Sequence, residues 1–269
     1  MTFSYLLHLA DTSLILSQRN SEWTGHGPAL EQDIAITNIA LDSLGQARNF
    51  YQHAAVLYNE AGKEVQSSAD CYLPKLWKPF ERQLEEDDLA FLRDEHQYLN
   101  LMMVELPKGD WAFTVLRQFF VSAFQYYQFT QLQNSTDSQI AAIAEKSIKE
   151  ITYHLRWSSE WVVRLGDSTE EAKARLDKAL GGLWMYTGEM FQPADYENVA
   201  VLAGIGADPA SLRQSWLLKV QEVFAMANLD LPEQAWMQTG GKEGRHTEYL
   251  GYLLAEMQHL QRAYPNSKW

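Results

Sequence analysis

The chemistry open to this sequence rests on a few carboxylates and imidazoles carried by long segments free of proline. Glu95 lies in Asp94-Glu95-His96-Gln97-Tyr98, and Glu150 and His154 lie in Lys149-Glu150-Ile151-Thr152-Tyr153-His154. Residues i and i+3 of a helix stand one above the other. A Glu-x-x-His pair from each of two helices, with a Glu from each of two more, can therefore hold a pair of iron ions inside a four-helix bundle. Neither segment carries that pair. Three residues after Glu95 stands Tyr98, three before His154 stands Ile151, and three after Glu150 stands Tyr153. Phenol in place of imidazole and an aliphatic in place of carboxylate remove both donors and the negative charge that two cations need. The sequence thus predicts no catalytic residue and no metal-ligand set in this chain. His96 reads as a solvated rim histidine and His154 as a hydrogen-bonded core histidine. Glu95 and Glu150 read as polar groups satisfied by Arg48, Arg93, Arg156 or nearby tyrosines.

Other constellations carry less. Asn38, Asp42, Gln46, Asn49 and His53 form a polar row at helical spacing, which suits a solvated face, a cavity lining or contact with another polypeptide of an assembly. Thr239-Gly240-Gly241-Lys242-Glu243-Gly244 lacks both the preceding strand and the G-x-x-x-x-G-K-[ST] spacing of a phosphate loop. Lys242, Arg245 and His246 still precede a helix start at Thr247, where backbone N–H groups favour an anion, so they are candidate anion contacts beside a purely structural turn. Trp77, Trp111, Trp157, Trp161 and Trp184 are core candidates, and no nucleophilic triad is legible.

The elements that must position these groups follow from proline and from periodicity. The eight prolines leave long helical segments between them. Residues 29–62 carry Leu30, Ile34, Leu41, Leu44, Tyr51, Ala55 and Tyr58 on a stripe stepping by three, four or seven, with Pro28 as a first helical residue. Residues 86–106 repeat the pattern through Leu89, Leu92, Leu99, Met103 and Leu106. The stretch 108–192 divides into three helices at Asn134–Asp137 and Gly166–Ser168, where Ser168 and Glu171 have capping-box spacing. Further helices are predicted near 209–227, behind an Asp208-Pro209 start, and near 247–263. Segments 63–85 and 228–246 read as ordered surface excursions. The class is all-α: one domain over 1–269, built as a long antiparallel bundle with flanking helices.

Composition excludes several alternatives. The 269 residues carry 22 basic and 35 acidic side chains, a net charge of −13 that repels phosphate backbones. Hydrophobic residues make up 46% of the chain, enough to exclude disorder. A lone Cys71 allows no internal disulfide and no cysteine metal cluster, which fits a reducing cytoplasm. No signal peptide and no membrane span are read.

A family resemblance runs from about residue 5 to Trp269. Gly25-His26-Gly27-Pro28-Ala29-Leu30-Glu31-Gln32-Asp33-Ile34-Ala35, Asn38-Ile39-Ala40-Leu41-Asp42 and Leu44-Gly45-Gln46-Ala47-Arg48 resemble the PaaC-type subunits of bacterial ring 1,2-phenylacetyl-CoA epoxidases. So do Asp88–Glu95, Lys149-Glu150 with Tyr153–Arg156, Thr239–Lys242 with Gly244, and His246-Thr247-Glu248 with Ala255-Glu256-Met257. The resemblance implies a ferritin-like fold and a structural, non-catalytic role in a monooxygenase complex that epoxidises the aromatic ring of phenylacetyl-CoA. It implies a PaaA-type catalytic partner holding the diiron centre, and a reductase bringing NADPH, FAD and an iron-sulfur cluster. It also implies degenerate ligand positions at Gln46, Glu95, Tyr98, Ile151 and His154, and raises coenzyme A phosphates as the anion near Lys242, Arg245 and His246. Aromatic-rich Phe119–Tyr127 is a candidate partner face or a packed interior. The rival reading is a stand-alone diiron oxidase built on Asp42, Glu95, Glu150 and His154.

Overall fold

The structure is a computed structural model, which describes residues 2–233 and 236–267. Its helices, in chain order, are α1 (Thr2–Ser21), α2 (Leu30–Glu60), α3 (Lys63–Ala69), α4 (Glu86–Phe91), α5 (Met102–Glu105), α6 (Trp111–Leu132), α7 (Ser138–Gly166), α8 (Glu170–Leu183), α9 (Asp195–Leu202), α10 (Pro209–Met226), α11 (Glu248–Met257) and α12 (His259–Ala263). Among the described residues there is no strand. The fold is all-α and ferritin-like, with α1, α2, α6 and α7 as the long helices.

Local chemistry sets most boundaries. Asp137 accepts from Gln139 N and Ile140 N and so starts α7, and Asp208 caps α10 with Pro209 as its first residue. Helix α8 is capped by Thr169, whose hydroxyl accepts from Ala172 N at 3.2 Å, and not by Ser168. Pro28 lies before α2; Ala29 is its cap residue, and the Asp33 carboxylate folds back onto Gly27 N at 2.9 Å.

The four long helices pack as a ring. Pairs α1–α2 and α6–α7 run side by side, α2 packs on α7, and Asn20 Nδ2 donating to Gln118 Oε1 at 2.8 Å joins α1 to α6. Helix α1 is buried on nearly every side, its apolar residues interleaved with buried polar groups such as His8, Asp11, Ser17 and Asn20. Phe119, Phe120 and Phe124 are buried, so this part of α6 is interior and not a partner face. Helix α10 covers it, with Trp216 Nε1 donating to Phe120 O at 3.0 Å.

Three expectations need correction. Residues 86–106 are not one helix: α4 ends at Phe91, Glu95–Gln97 form a 3₁₀ turn, and the chain runs extended to α5. The cause is tertiary. Asp11 of α1, fully buried, accepts from the Arg93 guanidinium, from Tyr51 Oη and from Leu99 N at 2.8 Å, while Arg93 also donates to Leu89 O and Gln97 O. Helical apolar spacing yields to a buried ion pair that needs the backbone open. In α2, the stripe assigned to the core is split: Tyr51 and Ala55 are buried, but Leu30, Ile34, Leu41 and Leu44 are 72%, 51%, 59% and 38% exposed. The buried face is instead formed by Ile36, Ile39, Ala47, Phe50 and Ala54. The 247–263 helix is likewise two, divided at buried Gln258, whose amide donates to Arg93 O and Tyr98 Oη.

Candidate functional site

The place where a bundle of this kind would grip metal lies between α1, α2, α6 and α7. On the α2–α7 seam, His154 Nε2 meets Asp42 Oδ2 at 3.0 Å, and Gln46 Nε2 donates to Glu150 Oε2 at 3.3 Å. The seam continues through Gln32 Oε1, which accepts from both Trp157 Nε1 and Trp161 Nε1, and ends at His53 Nε2 against Asp137 Oδ2, 2.9 Å apart. Asp42, Gln46 and His53 of the polar row, with Gln32 ahead of them, thus pair across to α7 or its cap residue, while Asn38 is exposed. Across the ring, Gln118 Nε2 donates to Ser122 Oγ at 2.8 Å, and Ser17 Oγ donates to Ala40 O at 2.7 Å. Asn20, Gln118, Ser122, Ser17, Ser147 and Ser158 are buried and uncharged.

This donor set does not fit a metal pair. Among the described residues no group of three or more His, Cys, Asp and Glu side chains converges to hold an ion. On the seam Asp42 meets His154 and Asp137 meets His53, Glu150 meets the Gln46 amide, and Asn20, Gln118 and Ser122 add amide and hydroxyl, which supply no compensating charge. Burial, with Asp42 close by, raises the Glu150 pKa against the lowering hydrogen bond from Gln46.

The sequence-derived ligand positions separate in space. Gln46, Ile151 and His154 do lie on the facing helices α2 and α7. Glu95 and Tyr98 do not belong to the bundle: Glu95 is exposed on the 3₁₀ turn beside Gly251, and Tyr98 is buried, its hydroxyl donating to Ala90 O at 2.6 Å. The grouping of Asp42, Glu95, Glu150 and His154 is thus not assembled. The sequence reading does not single out Asn20, Gln118 or Ser122, although Gln118, Ser122 and Gln125 recur at helical spacing on α6.

The Thr239–Thr247 segment turns inward. Lys242 is buried, its ammonium held by both Glu197 oxygens at 2.9 and 3.1 Å and by Gln192 O at 3.0 Å. Glu189 accepts from Gly240 N, Gly241 N and Met102 N, and Glu105 accepts from His246 Nδ1 at 2.8 Å and from Thr247 N. Burial alone would lower the His246 pKa, but the Glu105 carboxylate outweighs it and the net shift is upward. Of the three candidate anion contacts Arg245 is the exposed one, paired with the likewise exposed Glu243. Lys242 and His246 consequently have no donor left for an outside phosphate. A Cβ on Gly241 would stand 2.3 Å from Asn100 O, and Gly244 adopts φ +76° against His96 O. The two glycines let this loop lie flat on the 96–102 segment and clamp it to the bundle.

Fold and interior together define a class: an all-α, ferritin-like helical bundle with buried amides and hydroxyls between its long helices. The chain belongs to the family described as phenylacetic acid catabolic protein, PaaA_PaaC, which it matches over residues 1–269. It is similar to the C subunit of the 1,2-phenylacetyl-CoA epoxidase of Escherichia coli (strain K12), with 43% identity over 266 residues covering 99% of this chain and 98% of that protein. No helix among the described residues is long and apolar enough to cross a membrane.

Proposed function

We propose that this chain is a structural, non-catalytic subunit of a phenylacetyl-CoA epoxidase, which holds in place a partner protein bearing the metal pair. The observation that supports the reading is the bundle interior. Where iron ligands would converge stand Asn20–Gln118–Ser122, Asp42–His154 and Gln46–Glu150, sets short of carboxylates in which the Asn20 and Gln46 amide oxygens stay unpartnered. The similarity to a phenylacetyl-CoA epoxidase component supplies the reaction class, a monooxygenase acting on an aromatic thioester in phenylacetate breakdown. On this reading the diiron centre sits in a PaaA-type partner, a reductase with FAD and an iron-sulfur cluster passes electrons from NADPH, and the complex works in the cytoplasm. The chain's own residues bind no substrate atom; its buried ladders keep a rigid surface for the partner. The test is NADPH-dependent consumption of O₂ with phenylacetyl-CoA, assayed with the reductase for the lone chain and for the co-expressed pair. Turnover confined to the pair is expected, and turnover by the lone chain would overturn the proposal.

A further inference from the structure

Between the 3₁₀ turns that follow α8 and the first turns of α10 lies a cavity of about 310 Å³, outside the bundle interior. Trp184, Phe191 and Trp216 wall it, and Leu217 and Met237 close its sides. The indoles of Trp184 and Trp216 lie 6.1 Å apart between centroids, tilted by 34°, and the Phe191 ring meets Trp216 by its edge at 5.2 Å. Packing fixes these walls: Phe191 and Trp216 are buried, and Trp216 Nε1 is committed to Phe120 O at 3.0 Å. Met237 is tied down through its neighbour Gln238, whose N–H donates to Met185 O at 2.8 Å. The space is at the lower end of the size range of small-molecule pockets, and its rings suit a flat ring by edge and face contacts.

The charge at the rim is single and unanswered. Ala210, Arg213, Trp216 and Leu217 share one face of α10, at spacings of three and four, and that face turns to the cavity. Arg213 is exposed, and the residues three and four positions to either side of it are Pro209, Ala210, Trp216 and Leu217, none of them acidic. No acidic side chain lines the cavity, and among the described residues no carboxylate pairs with Arg213, whereas Lys219 further along α10 is held by Glu222 at 3.0 Å. The Thr187 hydroxyl in the lining already donates to Trp184 O at 2.8 Å. Arg213 is thus the group left to fix an anion. With no imidazole, carboxylate or thiol in the lining, the cavity is built to hold a molecule and not to turn it over.

We infer that this cavity binds a small aromatic carboxylate as a non-reacting ligand, its ring between Trp184, Phe191 and Trp216 and its carboxylate on the Arg213 guanidinium at the rim. The inference goes beyond the structural-subunit reading and does not rest on it. Aromatic walls favour a flat ring over a puckered aliphatic one, and a guanidinium takes a carboxylate through two parallel N–H donors. The seat lies on the turn Gly188–Phe191, and Glu189 of that turn accepts from Gly240 N, Gly241 N and Met102 N. A ligand wedged between this turn, α10 and Met237 therefore braces the loop that clamps the 96–102 segment.

The experiment is calorimetric titration of the purified full chain with phenylacetate, cyclohexylacetate, benzyl alcohol and phenyl phosphate, with Tm followed in parallel, for wild type, Arg213→Gln, Ala210→Trp and Arg48→Gln. All three positions are exposed, so the ligand-free variants keep wild-type circular dichroism and Tm. Expected is one phenylacetate per chain with a Kd of about 0.1–1 mM, in keeping with a ligand of about ten non-hydrogen atoms, and a Tm rise of about 3 °C at about ten times Kd. Cyclohexylacetate and benzyl alcohol each bind about tenfold more weakly. Arg213→Gln weakens phenylacetate about tenfold and leaves benzyl alcohol unchanged, Ala210→Trp fills the mouth and abolishes binding, and Arg48→Gln on α2 changes nothing. No phenylacetate binding by wild type at about 10 mM overturns the site, as does binding that Arg213→Gln and Ala210→Trp leave within about twofold of wild type. Cyclohexylacetate binding as tightly as phenylacetate overturns the aromatic assignment, and phenyl phosphate binding more than about tenfold tighter overturns the carboxylate.

Discussion

Replacing Asp11 with Asn tests how far a buried ion pair reshapes the 86–106 segment. The substitution keeps shape and one acceptor oxygen but removes the charge opposite Arg93, and both residues are fully buried. Breaking such a pair by neutralising one member costs about 3–5 kcal/mol, because the other charge stays desolvated. Tyr51 Oη and Leu99 N also lean on this carboxylate, at 2.5 and 2.8 Å, and each weakened bond adds up to about 1 kcal/mol. A net loss of about 4 kcal/mol, at roughly 2–4 °C per kcal/mol for a chain of this size, lowers Tm by about 8–16 °C. Thermal melts followed by circular dichroism at 222 nm read this directly. The double variant Asp11→Leu, Arg93→Met removes both charges and recovers most of the loss, since apolar replacement of a whole buried pair is close to neutral. Hydrogen exchange then reports more protection across 92–101 as the helical spacing there is no longer opposed. A Tm loss under about 3 °C for Asp11→Asn, or a double variant less stable than the single one, would refute the reasoning.

Lys242→Met leaves Glu197 buried without its cation and is expected to cost about 3–5 kcal/mol, whereas Arg245→Ala, on an exposed pair, costs under about 0.5 kcal/mol. Denaturant midpoints of the two variants give the comparison, and equal effects would contradict the inward placement of the loop. The raised pKa of His246 makes a pH prediction. The folded state holds this proton more tightly than the unfolded chain, so the His246–Glu105 contribution is complete below about pH 6.5 and fades as pH rises through the elevated folded value. His246→Asn removes that part of the slope of stability against pH above about 6.5; an unchanged slope would place the proton elsewhere.

Much of the fold is legible where local chemistry decides. Asp137 and Asp208 announce helix starts, and prolines mark the breaks, because capping and ring geometry act over a few residues. The 86–106 segment was not legible: its leucines repeat at helical spacing, but Asp11, 88 positions before Leu99, dictates its path. The α2 stripe misled for the opposite reason. Periodicity reports that a face is apolar and is silent on whether it is covered by the same chain, so Leu30, Ile34 and Leu41 read as core. The missing Glu-x-x-His pairs at Tyr98 and Ile151 could be read directly, since absence of a donor needs no coordinates. What replaced the donors could not be read. Asn20 and Gln118 meet across two helices 98 positions apart, and only packing shows it. Lys242 reads as a cation just before a helix start, and the carboxylate that holds its ammonium, Glu197, lies on a distant stretch with no motif to flag it.

The most direct test of the account is the iron content of the lone chain, purified after expression in iron-replete medium, measured beside that of the pair by plasma mass spectrometry. The interior of Asn20, Gln118, Ser122 and the Asp42–His154 and Gln46–Glu150 pairs predicts far below one iron per lone chain, with about two per pair. About two irons in the lone chain, lost on Glu150→Ala or His154→Ala, would contradict it.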